Sequence, residues 1–215
     1  FRSEFFDALP IDQFLRTKGV WHERRVGLDA AGNLVFGLHP APAPHIGTLA
    51  AANGPAPEGA VFERMETGPA RALASRLARS GGAALVVDYG HAGGFGDTLH
   101  ALRAHRFVDP LDAPGTADLT AHVDFSALGR LAHQAGAKAF GPLTQGAFLQ
   151  RLGLLQRAAG LKAKADAATR DAIDAAAARL AGEEEGQMGR LFKVMVLTHE
   201  SIGAPVAFDP AEEFK

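Results

Sequence analysis

Two carboxylates near the start of the chain are the first candidates for chemistry. Glu4 and Asp7 lie three residues apart in the stretch Ser-Glu-Phe-Phe-Asp-Ala-Leu-Pro, residues 3–10. In a helix or a turn, side chains at positions i and i+3 share a face, so we expect the two acids to point the same way. Paired carboxylates hold a guanidinium or an amine by charge-assisted hydrogen bonds, or act as general bases. The alternative is a pair of solvated acids at a helix N-terminus, and the spacing alone favours this alternative.

A predicted strand end is the second candidate. The apolar run Ala83–Val87 leads into Asp88, Tyr89 and His91 and then into a glycine-rich loop, residues 93–96. This composition is typical of a buried parallel strand, and open α/β sheets bind ligands beyond the carboxyl ends of such strands. The loop lacks the Lys-Ser/Thr pair of a P-loop, so phosphate binding has weak support.

Histidines near acidic residues raise a metal site as a further alternative. The histidines are His91, His100, His105 and His122, and the acids are Asp88, Asp97, Asp109 and Asp124. Such side chains can bind zinc or iron, but no His-Glu-x-x-His or other familiar ligand spacing occurs. We therefore predict no metal site and interpret these histidines as loop residues that hydrogen-bond to the backbone. A Ser-His-Asp hydrolase lacks support too, because no Gly-x-Ser-x-Gly elbow is present.

Composition limits the classes of protein and partner. A chain of 215 residues with 47% hydrophobic residues suits one globular domain with a substantial core. A net charge of -2 gives no footprint for nucleic acid, and the absence of cysteine excludes disulfides and thiolate nucleophiles. No apolar stretch approaches the roughly 20 residues that cross a bilayer. We expect no nucleic-acid partner, no membrane insertion and a cytoplasmic location.

The first half of the chain predicts a hairpin, a loop and a helix. The runs Val20–Leu28 and Asn33–Leu38 flank a turn-rich pentapeptide, which predicts an antiparallel hairpin. Residues 40–59 are rich in Pro, Ala and Gly, which predicts a surface loop. Apolar residues at helical spacing after Gly68 predict an amphipathic helix that ends at Gly81, with Thr67 as a candidate N-cap.

The second half predicts a long loop, helices and two further strands. Residues 97–120 are dense in polar groups and too irregular for a regular element, so they are expected to form a functional loop. A helix is predicted at 126–135, and strands at Lys138–Pro142 and Leu191–His199. Between these strands, residues 144–187 are expected to form a helical insertion.

The strand at Leu85–Val87 also bears on association. A strand this apolar needs neighbours on both sides, and only residues 191–197 offer a long one. An unpaired apolar edge favours association, so we expect a poorly stable or self-associating chain, with a homodimer as one outcome.

Several sequence blocks together resemble the MidA-like S-adenosylmethionine-dependent methyltransferases. The blocks are Ser-Glu-Phe-Phe-Asp-Ala-Leu-Pro (3–10), Val-Val-Asp-Tyr-Gly-His (86–91), Gly-Asp-Thr-Leu (96–99), His-Arg-Phe-Val-Asp-Pro-Leu (105–111), Pro-Gly-Thr-Ala-Asp-Leu-Thr-Ala-His-Val-Asp-Phe (114–125), Gly-Pro-Leu-Thr-Gln-Gly-Ala-Phe-Leu (141–149) and Met-Gly-Arg-Leu-Phe-Lys-Val (188–194). They span almost the whole chain in order. The family includes a mitochondrial complex I assembly factor that methylates an arginine.

The resemblance implies an α/β fold, the class I or Rossmann-like methyltransferase fold. It implies that residues 3–10 follow the fourth strand, that Ala83–Tyr89 is the fifth, and that the two predicted strands near 140 and 195 form a closing antiparallel pair. The family's glycine-rich cofactor loop and ribose-binding acid have no counterpart in these 215 residues, which open on Phe1. We therefore expect residues 1–215 to be the C-terminal portion of one methyltransferase domain, inactive alone, and leave the cofactor-binding residues unassigned.

The resemblance also implies a reaction. It implies methyl transfer from S-adenosylmethionine to an arginine of a protein substrate, such as a subunit of respiratory complex I, with Glu4 and Asp7 holding the guanidinium. Residues expected to contact the substrate are Ser3, Phe6, Asp88, Tyr89, His91, His122 and Gln145, with Ser3 standing where the family has Asn. Residues 97–124 are expected to close over the substrate, in the bacterial cytoplasm or the mitochondrial matrix. A non-catalytic assembly protein on the same fold and a metal-dependent hydrolase remain as alternatives.

Overall fold

The computed structural model describes residues 4–214 and divides the chain into two compact units. Unit 1 contains residues up to Glu4, Thr67–His91 and the chain from Phe125 onward. Unit 2 contains Phe5–Glu66 and Ala92–Asp124. Each unit is described by itself.

Unit 2 is built on an antiparallel sheet of four strands. The strands are β1 (Ile11–Thr17), β2 (Val20–Leu28), β3 (Leu34–Pro42) and β4 (Val61–Met65), in the order β3-β2-β1-β4. The predicted hairpin is confirmed, since β2 and β3 pair antiparallel up to Leu28 opposite Leu34. At its turn, the side chain of Asp29 accepts hydrogen bonds from the backbone N–H groups of Ala31 and Asn33, both at 2.8 Å.

A helix corrects the predicted loop at residues 40–59. Helix α1 (Pro44–Ala51) begins with a proline in its first turn, where the missing N–H costs nothing. Ile46 and Ala50 are buried one helical turn apart on the same face. They join an aromatic core made by Phe14, Trp21 and Phe62. The abundance of Pro, Ala and Gly concealed this short apolar stripe.

Short strands also correct the irregular loop that was predicted at residues 97–120. Strands β6 (His100–Arg103), β7 (Arg106–Val108) and β8 (Asp118–Thr120) form an antiparallel sheet in the order β7-β6-β8. Ala104 and His105 turn the chain between β6 and β7 with φ angles of 51° and 61°. Strands of three or four residues are too short for an alternating pattern to be visible in the sequence. The two-residue strand β9 (Val123–Asp124) ends unit 2.

Unit 1 packs helices on a sheet in which β11 lies between β10 and β5. Its elements are α2 (Gly68–Ser80), β5 (Ala83–His91), α3 (Phe125–Gln134), β10 (Lys138–Thr144) and β11 (Phe192–Thr198). Strands β10 and β11 pair antiparallel, so the predicted closing pair is confirmed. Strand β5, which was predicted to be a parallel strand, pairs antiparallel with β11. Val194 and Val196 pack with Phe140 and Phe208 in a buried cluster.

Four helices lie between β10 and β11 in the chain. They are α4 (Gln145–Arg151), α5 (Leu154–Lys162), α6 (Ala167–Ala181) and α7 (Met188–Leu191). Asp166 caps α6, because its side chain accepts a hydrogen bond from the N–H of Thr169 at 2.8 Å. A short 3₁₀ helix, Pro210–Glu212, follows β11. Within residues 4–214, none of the helices is long and apolar enough to cross a membrane. That residues 144–187 form a separate insertion stays a prediction.

Candidate functional site

Glu4 is an exposed residue of unit 1 that is attached to strand β5 through its backbone. Its N–H donates a hydrogen bond of 3.2 Å to the carbonyl of Val87. Its φ of 58° is left-handed rather than helical. The carboxylate makes no ion pair with another described residue, so it is available to a cationic group.

Asp7 has a different environment in unit 2. Its side chain is buried, with 5% of the residue exposed, beside Phe6 at 7%. The N–H of Leu9 closes a turn on the carbonyl of Phe6 at 3.2 Å, and the N–H of Ala121 donates to the carbonyl of Asp7 at 3.0 Å. No helix begins among the described residues 4–10. Glu4 and Asp7 are therefore not two solvated acids at the start of a helix. The catalytic role of Glu4 and Asp7 stays a prediction.

Thr98 and Glu63 hold the backbone next to Ala121. The hydroxyl of Thr98 accepts a hydrogen bond from the N–H of His122 at 2.8 Å and donates one to Oε2 of Glu63. The other Glu63 oxygen accepts from the N–H of Thr98 at 2.9 Å. Three blocks that are distant in sequence, at residues 3–10, 96–99 and 114–125, thus meet in one hydrogen-bonded network. Sequence reasoning missed Glu63, although an acid inside the apolar strand β4 was a signal.

The same network continues to Gln13, Asp97 and Arg24. Buried Gln13 donates to Glu63 at 2.7 Å and to Oδ1 of Asp97 at 2.9 Å. Nη1 of Arg24 donates to Oδ2 of Asp97 at 2.6 Å and to the side-chain oxygen of Gln13 at 3.2 Å. The guanidinium also lies over the ring of Phe36, 4.1 Å from its centroid. The half-buried Arg24 and Glu63 therefore both have hydrogen-bonding partners, as burial requires.

His122 stacks on His100. The two rings lie 6.4 Å apart between centroids with an interplanar angle of 24°. Among the described residues, no group of three or more His, Asp or Glu side chains has an arrangement that could hold a metal ion. The alternative of a histidine metal site therefore has no supporting arrangement among residues 4–214. His122 as a substrate contact stays a prediction.

The end of β5 buries its acid. Asp88 is fully buried, and its Oδ1 accepts from the N–H of Tyr89 at 3.0 Å. Tyr89 packs edge-on against Phe192, with ring centroids 5.3 Å apart. Lys193 lies opposite Asp88 in the strand register. Burial lowers the pKa of Lys193, and the charge of Arg190 lowers it further.

The remaining predicted contacts have structural surroundings of their own. His91 is the half-buried last residue of β5. The buried amide of Gln145 donates to the carbonyl of Leu180 at 2.8 Å, which satisfies a carbonyl at the end of α6. Ser3 lies outside the described residues. Substrate roles for Asp88, Tyr89, His91 and Gln145 stay predictions.

Comparison with known proteins supplies the family. Residues 1–143 match the family described as "Putative S-adenosyl-L-methionine-dependent methyltransferase". The chain belongs to this family. The resemblance drawn from the sequence blocks is therefore confirmed, and S-adenosylmethionine is the cofactor of the family.

Curated relatives carry a more specific name. The zebrafish (Danio rerio) protein arginine methyltransferase NDUFAF7, mitochondrial, is 40% identical over 163 residues, which are 72% of this chain and 36% of the relative. The human (Homo sapiens) protein of the same name is 40% identical over 159 residues, 70% of this chain and 34% of the relative. The Drosophila melanogaster homologue is 33% identical over 203 residues, 90% of this chain and 45% of the relative. The chain thus spans between a third and a half of the length of these relatives.

Two crystal structures from Burkholderia thailandensis have a similar fold. One, of an uncharacterised protein, superimposes with a TM-score of 0.81 at 32% identity, covering 96% of this chain and 56% of that chain. The other, of a protein bound to S-adenosyl-homocysteine, has a TM-score of 0.78 at 31% identity, covering 95% and 54%. The predicted α/β fold of Rossmann-like methyltransferases is therefore confirmed.

Proposed function

We propose that the complete protein transfers the methyl group of S-adenosylmethionine to an arginine side chain of a protein. The observation that carries this proposal is the 40% identity to protein arginine methyltransferases over 70% or more of the chain. The first target to test is an arginine of a respiratory complex I subunit, which the family resemblance suggests. We place the reaction in the bacterial cytoplasm or the mitochondrial matrix, since the relatives are mitochondrial by name and the solved neighbours bacterial.

Glu4 and Asp7 are the groups that we assign to the guanidinium. We assign both carboxylates to one planar, fork-shaped ligand because they lie three positions apart in the sequence. The exposed Glu4 is available to pair with the cation, and Asp7 offers an acceptor in a buried setting. Together they orient one guanidinium nitrogen. When the lone pair of this nitrogen forms the bond to the methyl group, a carboxylate takes up the proton that the nitrogen loses, which is general-base catalysis with strict positioning.

The glycine-rich segment of residues 93–96 does not fit the cofactor. Phe95 stacks on Trp21 with ring centroids 5.8 Å apart, and the N–H of Gly96 donates to the carbonyl of Val61 at 2.9 Å. The Phe95 ring and the Gly96 N–H are therefore already engaged in packing and hydrogen bonding within unit 2. When bound, S-adenosylmethionine supplies an electrophilic methyl group, and we assign none of its contacts to the described residues.

Methyl transfer and cofactor binding together test the proposal. The complete protein is incubated with methyl-labelled S-adenosylmethionine and a protein extract from cells that lack it, and methylated residues are located by mass spectrometry. We expect methylarginine, and a loss of rate of about 100-fold or more in Glu4→Gln with cofactor affinity retained. Glu200→Gln, at an exposed acid of unit 1, is the matched control with unchanged rate.

Two results would contradict this proposal. Full activity in Glu4→Gln would show that the Glu4 carboxylate takes no part in the reaction. Methyl label on lysine alone would show that the substrate side chain is lysine and not arginine. Retained capture of a partner protein without any transfer would favour the non-catalytic assembly protein. A homodimer stays a prediction that sedimentation of the complete protein checks.

A further inference from the structure

A cavity in unit 2 has neither Glu4 nor Asp7 among its lining residues. It has a volume of about 360 Å³ and is lined by Arg24, Phe36, Asp97, Leu99, Asp109 and Pro110. This volume falls within the range of roughly 300–1,000 Å³ that is usual for small-ligand sites. Its walls are partly apolar and partly charged, so they offer both packing surface and polar groups to a ligand.

The charges of the lining do not cancel. Arg24 is balanced by Asp97, at 2.6 Å, and its flat face is covered by Phe36. Asp109 accepts one hydrogen bond, from the N–H of Leu111 to Oδ1 at 2.7 Å. Its Oδ2 accepts none from another described residue. One negative charge with a vacant acceptor is thus left over at the cavity.

Unit 2 as a whole has the same sign. Its residues, 5–66 and 92–124, include 12 Asp or Glu and 7 Lys or Arg, a formal charge of -5. The whole chain carries only -2, so the remaining residues are positive on balance. A unit with this excess attracts cationic segments of a polypeptide before any specific contact forms.

The cavity is also tied to the segment that contains Asp7. Asp97 is joined through Gln13 and Glu63 to Thr98, whose hydroxyl holds the backbone of His122. The preceding residue, Ala121, binds the carbonyl of Asp7. A ligand in the cavity is therefore held in a fixed relation to the Asp7 segment within the unit.

From these observations we propose that the cavity binds a basic side chain of the polypeptide substrate, an arginine or lysine other than the methylated one. The inference rests on the proposed function for the identity of the substrate. Asp109 pairs with the cationic head, while Leu99 and Pro110 pack along the methylene groups, as long basic side chains require. The subsite selects target arginines that have a second basic residue nearby.

Binding of small probes tests the subsite without any methyl transfer. The complete, isotope-labelled protein is titrated by NMR with N-acetyl-arginine amide, its neutral glutamine counterpart and its anionic glutamate counterpart. We expect the arginine probe to shift the amide signals of Leu99 and Leu111 in a saturable manner and the other two to leave them unchanged. Shifts at Glu4 and Asp7 report separately on the proposed reaction site.

Asp109→Asn is the decisive variant, because asparagine keeps the acceptor for the Leu111 N–H and removes only the charge. We expect affinity for the arginine probe to fall about fivefold, the value of an exposed ion pair near 1 kcal/mol. Asp118→Asn, at an exposed acid outside the cavity lining, is the matched control and leaves affinity unchanged. If Asp109→Asn folds poorly, the parent protein is titrated with the arginine probe at increasing salt concentration. Affinity should fall, because salt screens the same ion pair.

Three outcomes overturn the inference. Equal affinity of Asp109→Asn and the parent protein for the arginine probe would show that Asp109 forms no ion pair with it. Equal shifts by the glutamine probe would show that the cavity does not recognise positive charge. Stronger binding of the glutamate probe would show that the cavity binds an anion at Arg24.

Discussion

Thr98→Val removes the hydroxyl that joins Glu63 to His122 while keeping the shape of the side chain. The substitution deletes a charge-assisted hydrogen bond to Glu63 and the 2.8 Å bond from the His122 N–H. The backbone bond from Thr98 to Glu63, at 2.9 Å, survives because it does not use the side chain.

The expected cost follows from these two losses. A hydrogen bond to a charged group contributes about 1.5–3 kcal/mol, and a neutral one about 0.5–1.5 kcal/mol. Thr98, Glu63 and His122 are all half-buried, so water replaces part of what is lost. We therefore expect the free energy of unfolding to fall by about 2–3 kcal/mol.

Urea unfolding of the complete protein measures this free energy, and amide hydrogen exchange reports the local effect. The His122 N–H should exchange at least about tenfold faster in Thr98→Val, because its acceptor is gone. Thr98→Ser is the control, since it keeps the hydroxyl and both bonds. Equal stability and equal His122 exchange in the valine and serine variants would refute the role assigned to this hydroxyl.

Two further predictions concern unit 1. In Gly189→Ala, the new Cβ would overlap the backbone carbonyl of Ala181, so the free energy of unfolding should fall by about 1–3 kcal/mol. Gly160→Ala, in an open helical position, is the control and should raise this free energy by about 0.5–1 kcal/mol. Equal chemical denaturation midpoints for the two variants would contradict this packing. Arg151 donates to both oxygens of Glu212, at 2.8 and 2.9 Å, and this hydrogen bonding holds the pKa of Glu212 below its ordinary 4.5. A depressed acid stabilises the fold above its ordinary pKa, so the stability difference between the parent and Glu212→Gln should be present at neutral pH and disappear as pH falls through the folded-state pKa. A pH-independent difference in urea titrations would show that this ion pair is not its source.

Elements with a long periodic pattern were predictable. Helix α2 follows the predicted bounds because its apolar residues repeat over three turns and Gly81 ends it with a φ of 77°. Strand β5 was visible as the apolar run Ala83–Val87, and it pairs with β11, which contains the apolar run 194–197. In these elements, local pattern and tertiary packing favour the same structure.

Short elements were not predictable, because tertiary contacts define them. Helix α1 has two buried positions, Ile46 and Ala50, and its stability depends on the aromatic residues beneath it. Strands β6–β8 have three or four residues each and exist as a sheet only through pairing with one another. Neither signal is present in a local window of sequence.

The environment of the candidate acids depends on residues far away in the chain. Glu4 and Asp7 lie three positions apart, but Glu4 is exposed with a left-handed backbone while Asp7 is buried, a difference that spacing cannot reveal. Asp7 is fixed by Ala121, which is fixed through its neighbour by Thr98 and Glu63. Three of the sequence blocks that carry the family resemblance, at residues 3–10, 96–99 and 114–125, are therefore parts of one hydrogen-bonded network.

Glu63 shows what a block-by-block reading of the sequence leaves out. It lies outside all of the family blocks, in a strand where Phe62 and Met65 are buried, and its position among these apolar residues was the one local signal. A half-buried carboxylate must be satisfied by donors, and Glu63 receives them from Thr98 and Gln13. Thr98 connects Glu63 to the Asp7 segment, and Gln13 connects it to the cavity at Arg24. A substitution at Glu63 should therefore alter both regions. A variant at Glu63 that affected only one of them would show that the two regions are held independently.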